Sequence, residues 1–244
     1  MTVEEYLALE ETASLRHEFL DGQIWAMSRG TFAHDRLSMR IAAELDFALR
    51  GSPCGANGPN LRIKSERTGL YTYADALVVC TPRFEDSKRT TLLNPRVVVE
   101  VLSENTEWYD RSDKFAHYQT IESIQDYVLI STTTKRVEVY SRNDKGWLLC
   151  SYIEAKSLEI PSVDVRIALS TLYADIPLDP PRSAAQIRTM IERLRADPGA
   201  LDADTLSRLA REPPTRIATA RKPVKTTLLN ESLPRARRFE GLRD

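Results

Sequence analysis

Two stretches of this sequence read as strands that must be covered on both faces. Asp75-Ala76-Leu77-Val78-Val79-Cys80 and Arg96-Val97-Val98-Val99-Glu100-Val101-Leu102 are near-continuous apolar runs rather than alternating ones. Strands with one wet face alternate; runs of this kind belong to a sheet with helices on both sides. They predict an α/β fold with a central mixed sheet flanked by helices. Each run also carries an acid, Asp75 at its start and Glu100 inside it. An ionised carboxylate in such a strand is costly unless it is paired or binds a metal. Two on neighbouring strands also repel, which raises at least one pKa. A divalent cation removes both penalties, and hard cations such as Mg²⁺ take carboxylate oxygens. The competing reading is that Asp75 caps a strand end while Glu100 pairs with an Arg or Lys elsewhere in the chain.

The other elements fit around this centre. Thr2 with Glu5 forms a capping box for a short helix to about Leu9. Asp21-Gly22 between two apolar stretches predicts a hairpin. Leu37, Ile41, Leu45 and Ala48 fall on one face of a helix from about Ala33 to Leu49. Residues 51–60, rich in Gly, Pro and Asn, read as loop. Leu61 to Lys64 is a short alternating strand, with Arg62 and Lys64 on a solvated face or against a phosphate. Asp110 to Ile121 reads as one helix. Strands follow at Tyr127 to Ile130, Val137 to Tyr140 and Trp147 to Ile153, and Pro161 and Leu169 to Tyr173 close the domain. Pro177, Pro180 and Pro181 mark a boundary. The division is thus a core domain over 1–178 and a C-terminal extension over 179–244. The extension is helical over 183–211, where Ile187, Met190, Ile191 and Leu194 form a stripe. Beyond Pro213 it is basic and loosely ordered.

The charge is unevenly spread. Residues 1–180 hold 20 Lys and Arg against 27 Asp and Glu, and residues 181–244 hold 14 against 8. A basic tail on an acidic body is suited to gripping phosphates, or is simply a solvated segment. No apolar run is long enough to span a membrane, and the acidic start of the chain lacks the features of a signal peptide. Of Cys54, Cys80 and Cys150, the last two end apolar runs and read as small core residues, as in a reducing compartment. A cytoplasmic protein is the resulting expectation. His17, His34 and His117 are scattered and form no zinc motif.

The order of several segments is more specific than any of them alone. They are His17-Glu18-Phe19-Leu20-Asp21-Gly22, Tyr73-Ala74-Asp75-Ala76-Leu77-Val78-Val79, Asn94-Pro95-Arg96 through Ser103, and Tyr109-Asp110-Arg111-Ser112-Asp113-Lys114-Phe115-Ala116-His117-Tyr118. Asp126 to Ile130 and Arg136 to Tyr140 continue the series. From Arg16 to about Tyr173 the chain resembles the Uma two family, bacterial proteins with the restriction-endonuclease-like PD-(D/E)XK fold. The resemblance implies a metal-dependent endonuclease that hydrolyses phosphodiester bonds of nucleic acid, with DNA the first choice over RNA. It implies that Asp75 and Glu100 bind Mg²⁺ or Mn²⁺ and that Glu18 is a third metal or water ligand. Two positions depart from the pattern. Ala74 stands where a proline is usual, and Leu102 stands where the lysine two residues after the Glu belongs. The resemblance moves that cation to Lys114, one helical turn before Tyr118, where it would serve the attacking water or the phosphate. Without the resemblance, Lys114 reads as a surface partner of Asp110. His34, at the start of the long helix, and Tyr118 are candidates for a phosphate or water contact; otherwise His34 is a half-exposed polar residue. His117 reads as packing, and Ser103 and Thr106 as turn formers.

Two rivals to the nuclease remain open. One is a catalytically inactive nuclease-fold module that binds nucleic acid or a protein partner. The other is an interaction protein, a homodimer for instance, paired through helices 183–211.

Overall fold

The computed structural model describes residues 1–27, 30–103, 106–180 and Arg188. The chain divides into two units, 1–184 and 185–244. The expected extension helices and basic tail lie outside the described residues.

The first unit begins with helix α1 (Val3–Thr12), the hairpin β1 (His17–Leu20) and β2 (Gln23–Ala26), and helix α2 (Phe32–Ala48). Then come β3 (Gly55–Asn57), β4 (Arg62–Lys64), β5 (Tyr71–Tyr73), β6 (Ala76–Val79), β7 (Thr91–Leu92) and β8 (Val97–Leu102). Helices α3 (Glu107–Arg111) and α4 (Asp113–Gln119) follow, then β9 (Asp126–Ser131), β10 (Arg136–Asn143) and β11 (Gly146–Ile153). A hairpin of β12 (Ser157–Ile160) and β13 (Val165–Ala168) and the short helix α5 (Leu169–Leu172) complete it. Thr2 and Glu5 form the expected capping box, although α1 runs past Leu9. Asp21 and Gly22 both take positive φ, 49° and 81°, as a two-residue hairpin turn requires.

The strands divide among three sheets rather than forming one. The six-stranded sheet, β11-β10-β9-β8-β6-β3, is mixed, with β8 and β9 parallel. There are also a five-stranded sheet, β2-β1-β5-β4-β7, and a two-stranded ribbon of β12 and β13; the ribbon packs in the core shared by α2 and the six-stranded sheet. The chain crosses from the five-stranded to the six-stranded sheet between β5 and β6, and only Ala74 and Asp75 lie in that crossing. Asp75 therefore sits at the junction of the two sheets.

The apolar runs behave as expected. Every residue of β6 and β8 is buried. On one face, Val97, Val99 and Val101 pack with Leu37, Ile41 and Leu45 of α2. On the other, Val98 and Leu102 pack with Tyr118, Ile121 and Tyr127. Glu100 shares this second face by strand alternation. Ile41 has no solvent exposure, so Ile41→Ala should cost about 2–5 kcal/mol of stability through lost burial and a residual cavity. Urea unfolding of the variant against the parent measures it.

Several local expectations are corrected. Residues 55–57 are not loop but the edge strand β3, paired antiparallel with β6. Gly55 lies opposite Val79, so the next pair outward is Cys54 with Cys80, and these form a disulfide. Cys80 is thus not a free core thiol, Cys150 is exposed, and cysteine usage no longer argues for a reducing compartment. The helix expected from Asp110 to Ile121 is two short helices that meet at Ser112, where ψ of −93° leaves the helical region. Arg62 is buried, not solvated; it donates to the Thr91 and Thr90 hydroxyls and to Tyr73 Oη. Lys64 is ion-paired with Glu85. Arg62 is therefore turned inward and away from any backbone phosphate. Among the described residues, no helix is long and apolar enough to cross a membrane.

Candidate active site

Four elements from both sheets and the α3–α4 pair converge on one ammonium group. Lys114 is only 3% exposed. Its Nζ lies 3.0 Å from Glu100 Oε1, 3.2 Å from Glu18 Oε1 and 3.8 Å from Asp110 Oδ1. It also donates to the Tyr73 carbonyl at 3.0 Å. The pairing with Asp110 thus exists, but in the interior and not on a wet surface. Glu18 comes from β1 of the five-stranded sheet and Glu100 from β8 of the six-stranded one. The lysine joins the two sheets where Asp75 joins them in sequence.

Each acid has its own surroundings. Glu18 Oε1 accepts from Thr72 Oγ1 at 2.5 Å and its Oε2 from Tyr109 Oη at 2.8 Å. Glu100 Oε1 accepts from Tyr118 Oη at 2.9 Å, so Lys114 and Tyr118 present one helix face to the same oxygen. Asp75 Oδ2 accepts from the Val101 backbone N–H at 2.7 Å and lies 3.4 Å from His34 Nε2. That contact follows from register: Ala76 pairs with Val99, which puts Asp75 beside Glu100. His34 arrives from the first turn of α2, where Thr31 caps the helix. Among the described residues, Asp75 Oδ1 and Glu100 Oε2 have no hydrogen-bond or ion-pair partner.

These surroundings pull the acids apart. Burial pushes the Glu100 carboxyl well above its usual range; Lys114 opposes this, while Asp110 and Asp75 add to it. Burial likewise raises Asp110, again against Lys114. Burial also acts upward on Glu18, yet Lys114 and the hydroxyls of Thr72 and Tyr109 together hold it below the usual carboxylate range. Desolvation acts to discharge Lys114, but Glu100, Glu18 and Asp110 outweigh it and keep the ammonium charged. For His34, burial works against the charged form and the Asp75 carboxylate more than compensates, so its pKa is raised.

A hard cation fits the donors by chemistry. Asp75 and Glu100 are adjacent carboxylates that repel, and among the described residues each keeps an oxygen without a partner. They are not yet a coordination shell: among the described residues, no three His, Cys, Asp or Glu side chains surround one point.

The structure brings Glu18, Asp75, Glu100, Lys114, Tyr118 and His34 into one connected cluster. His117 stands apart and contacts Thr68 Oγ1 at 2.9 Å. Ser103 and Thr106 form a side-chain-bonded turn before α3. Asp110, Tyr109 and Thr72 belong to the cluster as well. The sequence offered Asp110 only as a surface partner of Lys114, and the helix breaks at Ser112 between the two. Tyr109 and Thr72 gave no signal.

A mixed sheet with helices on its faces and an acid–lysine cluster where its central strand meets the second sheet is the arrangement of the restriction-endonuclease-like class. A solved structure described as "a putative nuclease belonging to DUF820" from Anabaena variabilis shares the fold, with a TM-score of 0.58 at 16% identity. It covers 71% of this chain and 98% of its own. The family model Uma2, described as "Putative restriction endonuclease", matches residues 3–171. The chain belongs to the Uma2 family. Two uncharacterized proteins of Synechocystis sp. are similar to it. One is 38% identical over 175 residues, 71% of this chain and 91% of that protein. The other is 31% identical over 151 residues, 61% of this chain and 85% of that protein.

Proposed function

We propose that this protein is a metal-dependent nuclease that hydrolyses phosphodiester bonds, with DNA as the substrate. One observation carries the reading: a buried, charged lysine stands between carboxylates, beside two further carboxylate oxygens that have no partner among the described residues. A purely structural ion pair needs no such surplus of acid, and burial makes the surplus costly.

Asp75 and Glu100 would hold Mg²⁺ or Mn²⁺. When bound, such an ion polarises the phosphate and makes a water more acidic. The chain's own residues supply the rest. The Val101 N–H fixes Asp75, and Tyr118 fixes Glu100. An ammonium has three donors, and those of Lys114 face Glu18, Glu100 and the Tyr73 carbonyl. Glu100 is the partner with another task, so the N–H facing it is the one that can turn to a substrate oxygen. Charge fixed in this way, on an ammonium largely removed from water, stabilises the phosphate as negative charge builds up. His34, beside Asp75 at the more exposed end of the cluster, is placed for a phosphate or water contact. The basic C-terminal extension would add affinity through phosphate contacts.

The test is cleavage of supercoiled, linear and single-stranded DNA, and of RNA, with Mg²⁺ or Mn²⁺ and with EDTA. Metal-dependent nicking of DNA that is lost in Asp75→Asn is expected. Salt-sensitive binding without any metal-dependent cutting would favour the catalytically inactive binding module instead.

A further inference from the structure

We propose that Glu18 is a positioning residue for Lys114, clamped by Thr72 and Tyr109, rather than a third metal ligand. The proposal rests on the nuclease reading above and assigns Glu18 a different part in that site.

The free valences of the three acids decide the matter. A carboxylate that is to hold a cation needs an oxygen to offer. Asp75 and Glu100 each have one without a partner among the described residues. Glu18 has none: Oε1 takes Thr72 and Lys114, and Oε2 takes Tyr109. A cation at Glu18 would have to share Oε2 with the Tyr109 hydroxyl or displace a donor from Oε1, and it would sit beside the Lys114 ammonium, costs that the unpartnered oxygens of the other two acids do not carry.

The backbone makes the clamp. Phe19 pairs with Tyr71 across β1 and β5, so the antiparallel register sets Glu18 opposite Thr72. Side chains so opposed are direct neighbours, and the short Thr72–Glu18 hydrogen bond follows. One residue further along β5, the Tyr73 carbonyl takes a second proton of the same lysine. The five-stranded sheet thus supplies two of the three acceptors of Lys114, both from paired strands. The third, Glu100, belongs to the other sheet and to the candidate metal site. Glu18 and Tyr73 keep the ammonium in place whichever way Glu100 is used. The charge of Glu18 is already balanced by Lys114, which also removes the reason for a cation there.

Three measurements on the full-length chain separate the roles: Mn²⁺ binding by calorimetry, the Mn²⁺ concentration for half-maximal cleavage, and kcat at saturating Mn²⁺. Glu18→Gln should bind Mn²⁺ within about threefold of the parent while kcat falls roughly 10²-fold, the scale of a lost transition-state contact. Asp75→Asn should lose Mn²⁺ binding in the same calorimetry. Because Glu18 acts through the lysine, Glu18→Gln added to Lys114→Met should cost little more than Lys114→Met alone. Tyr109→Phe removes one hydrogen bond and no charge. It should lower kcat less than Glu18→Gln does, again with Mn²⁺ affinity unchanged, and it keeps the proposal testable if Glu18→Gln folds poorly. A tenfold or greater loss of Mn²⁺ affinity in Glu18→Gln or Tyr109→Phe would make Glu18 a ligand and overturn the proposal. So would losses that multiply in the double variant. A parent chain that neither binds Mn²⁺ nor cuts nucleic acid overturns the nuclease reading itself, and this proposal with it.

Discussion

Lys114→Ala is expected to abolish most cleavage and to weaken the fold, and the two effects respond differently to pH. Removing a fixed cation from the transition state typically costs about 10²–10³ in rate. Removing it from the interior leaves Glu18 and Glu100 buried without their counter-charge, which costs about 3–5 kcal/mol when one partner of a buried pair is lost. Glu100 already lies well above its usual range with Lys114 present. Without the lysine it rises further and protonates readily, so the stability loss should shrink as pH falls from 8 towards 5. The rate loss should not recover in that range, because protonation restores no positive charge. Urea unfolding and single-turnover cleavage at both pH values test this. Metal binding should survive, since no ligand is removed and Glu100 is released from a competitor. Cleavage by Lys114→Ala at the parent rate would show that the lysine is a structural charge only.

Added Mg²⁺ or Mn²⁺ should raise the melting temperature of the parent chain, and more so at higher pH. A ligand that binds only the native state adds about 2.7 kcal/mol at a hundredfold excess over its Kd. The pH dependence follows from the two acids beside Lys114. Glu100 has a raised folded-state pKa, so its contribution to stability is complete below the unfolded value near 4.5 and is lost as pH rises through the folded value. Glu18 is lowered; its contribution is present above 4.5 and is lost as pH falls through its folded value. Above 4.5, therefore, the metal-free chain loses stability as Glu100 ionises. A cation that needs the ionised carboxylate restores more of that loss the higher the pH. Asp75→Asn and Glu100→Gln should both lose most of the metal-induced rise. Scanning calorimetry at pH 5, 7 and 8.5, with and without Mn²⁺, gives the comparison. An unshifted parent at every pH would remove metal from the account.

Much of the centre was legible because burial on two faces leaves a mark on composition. The runs around Leu77 and Val99 could only be central strands, and an acid within each could only be costly. The lysine was legible only through resemblance: by spacing alone, Asp110 and Lys114 make an ordinary surface pair. What hid its burial is that the acceptors come from three other places, β1, β5 and β8, which no local pattern connects. The disulfide was hidden for a related reason. Residues 51–60 have loop composition, and the short strand within them forms only because β6 offers an edge to pair with.

The sequence by itself determined which strands lie at the centre, where the hairpin turns, the buried Leu37, Ile41 and Leu45 of α2 but not Ala48, which is exposed, and which acids have no cheap place in the core. These depend on periodicity, turn chemistry and desolvation, which act over a few residues. The tertiary structure decided that the strands form separate sheets, that the chain crosses between them at Asp75, and that Glu18 and Glu100 meet over one ammonium. Those outcomes depend on strand register and on charges brought together from residues 18 to 114, and a charge's partner is a matter of distance in space, not along the chain.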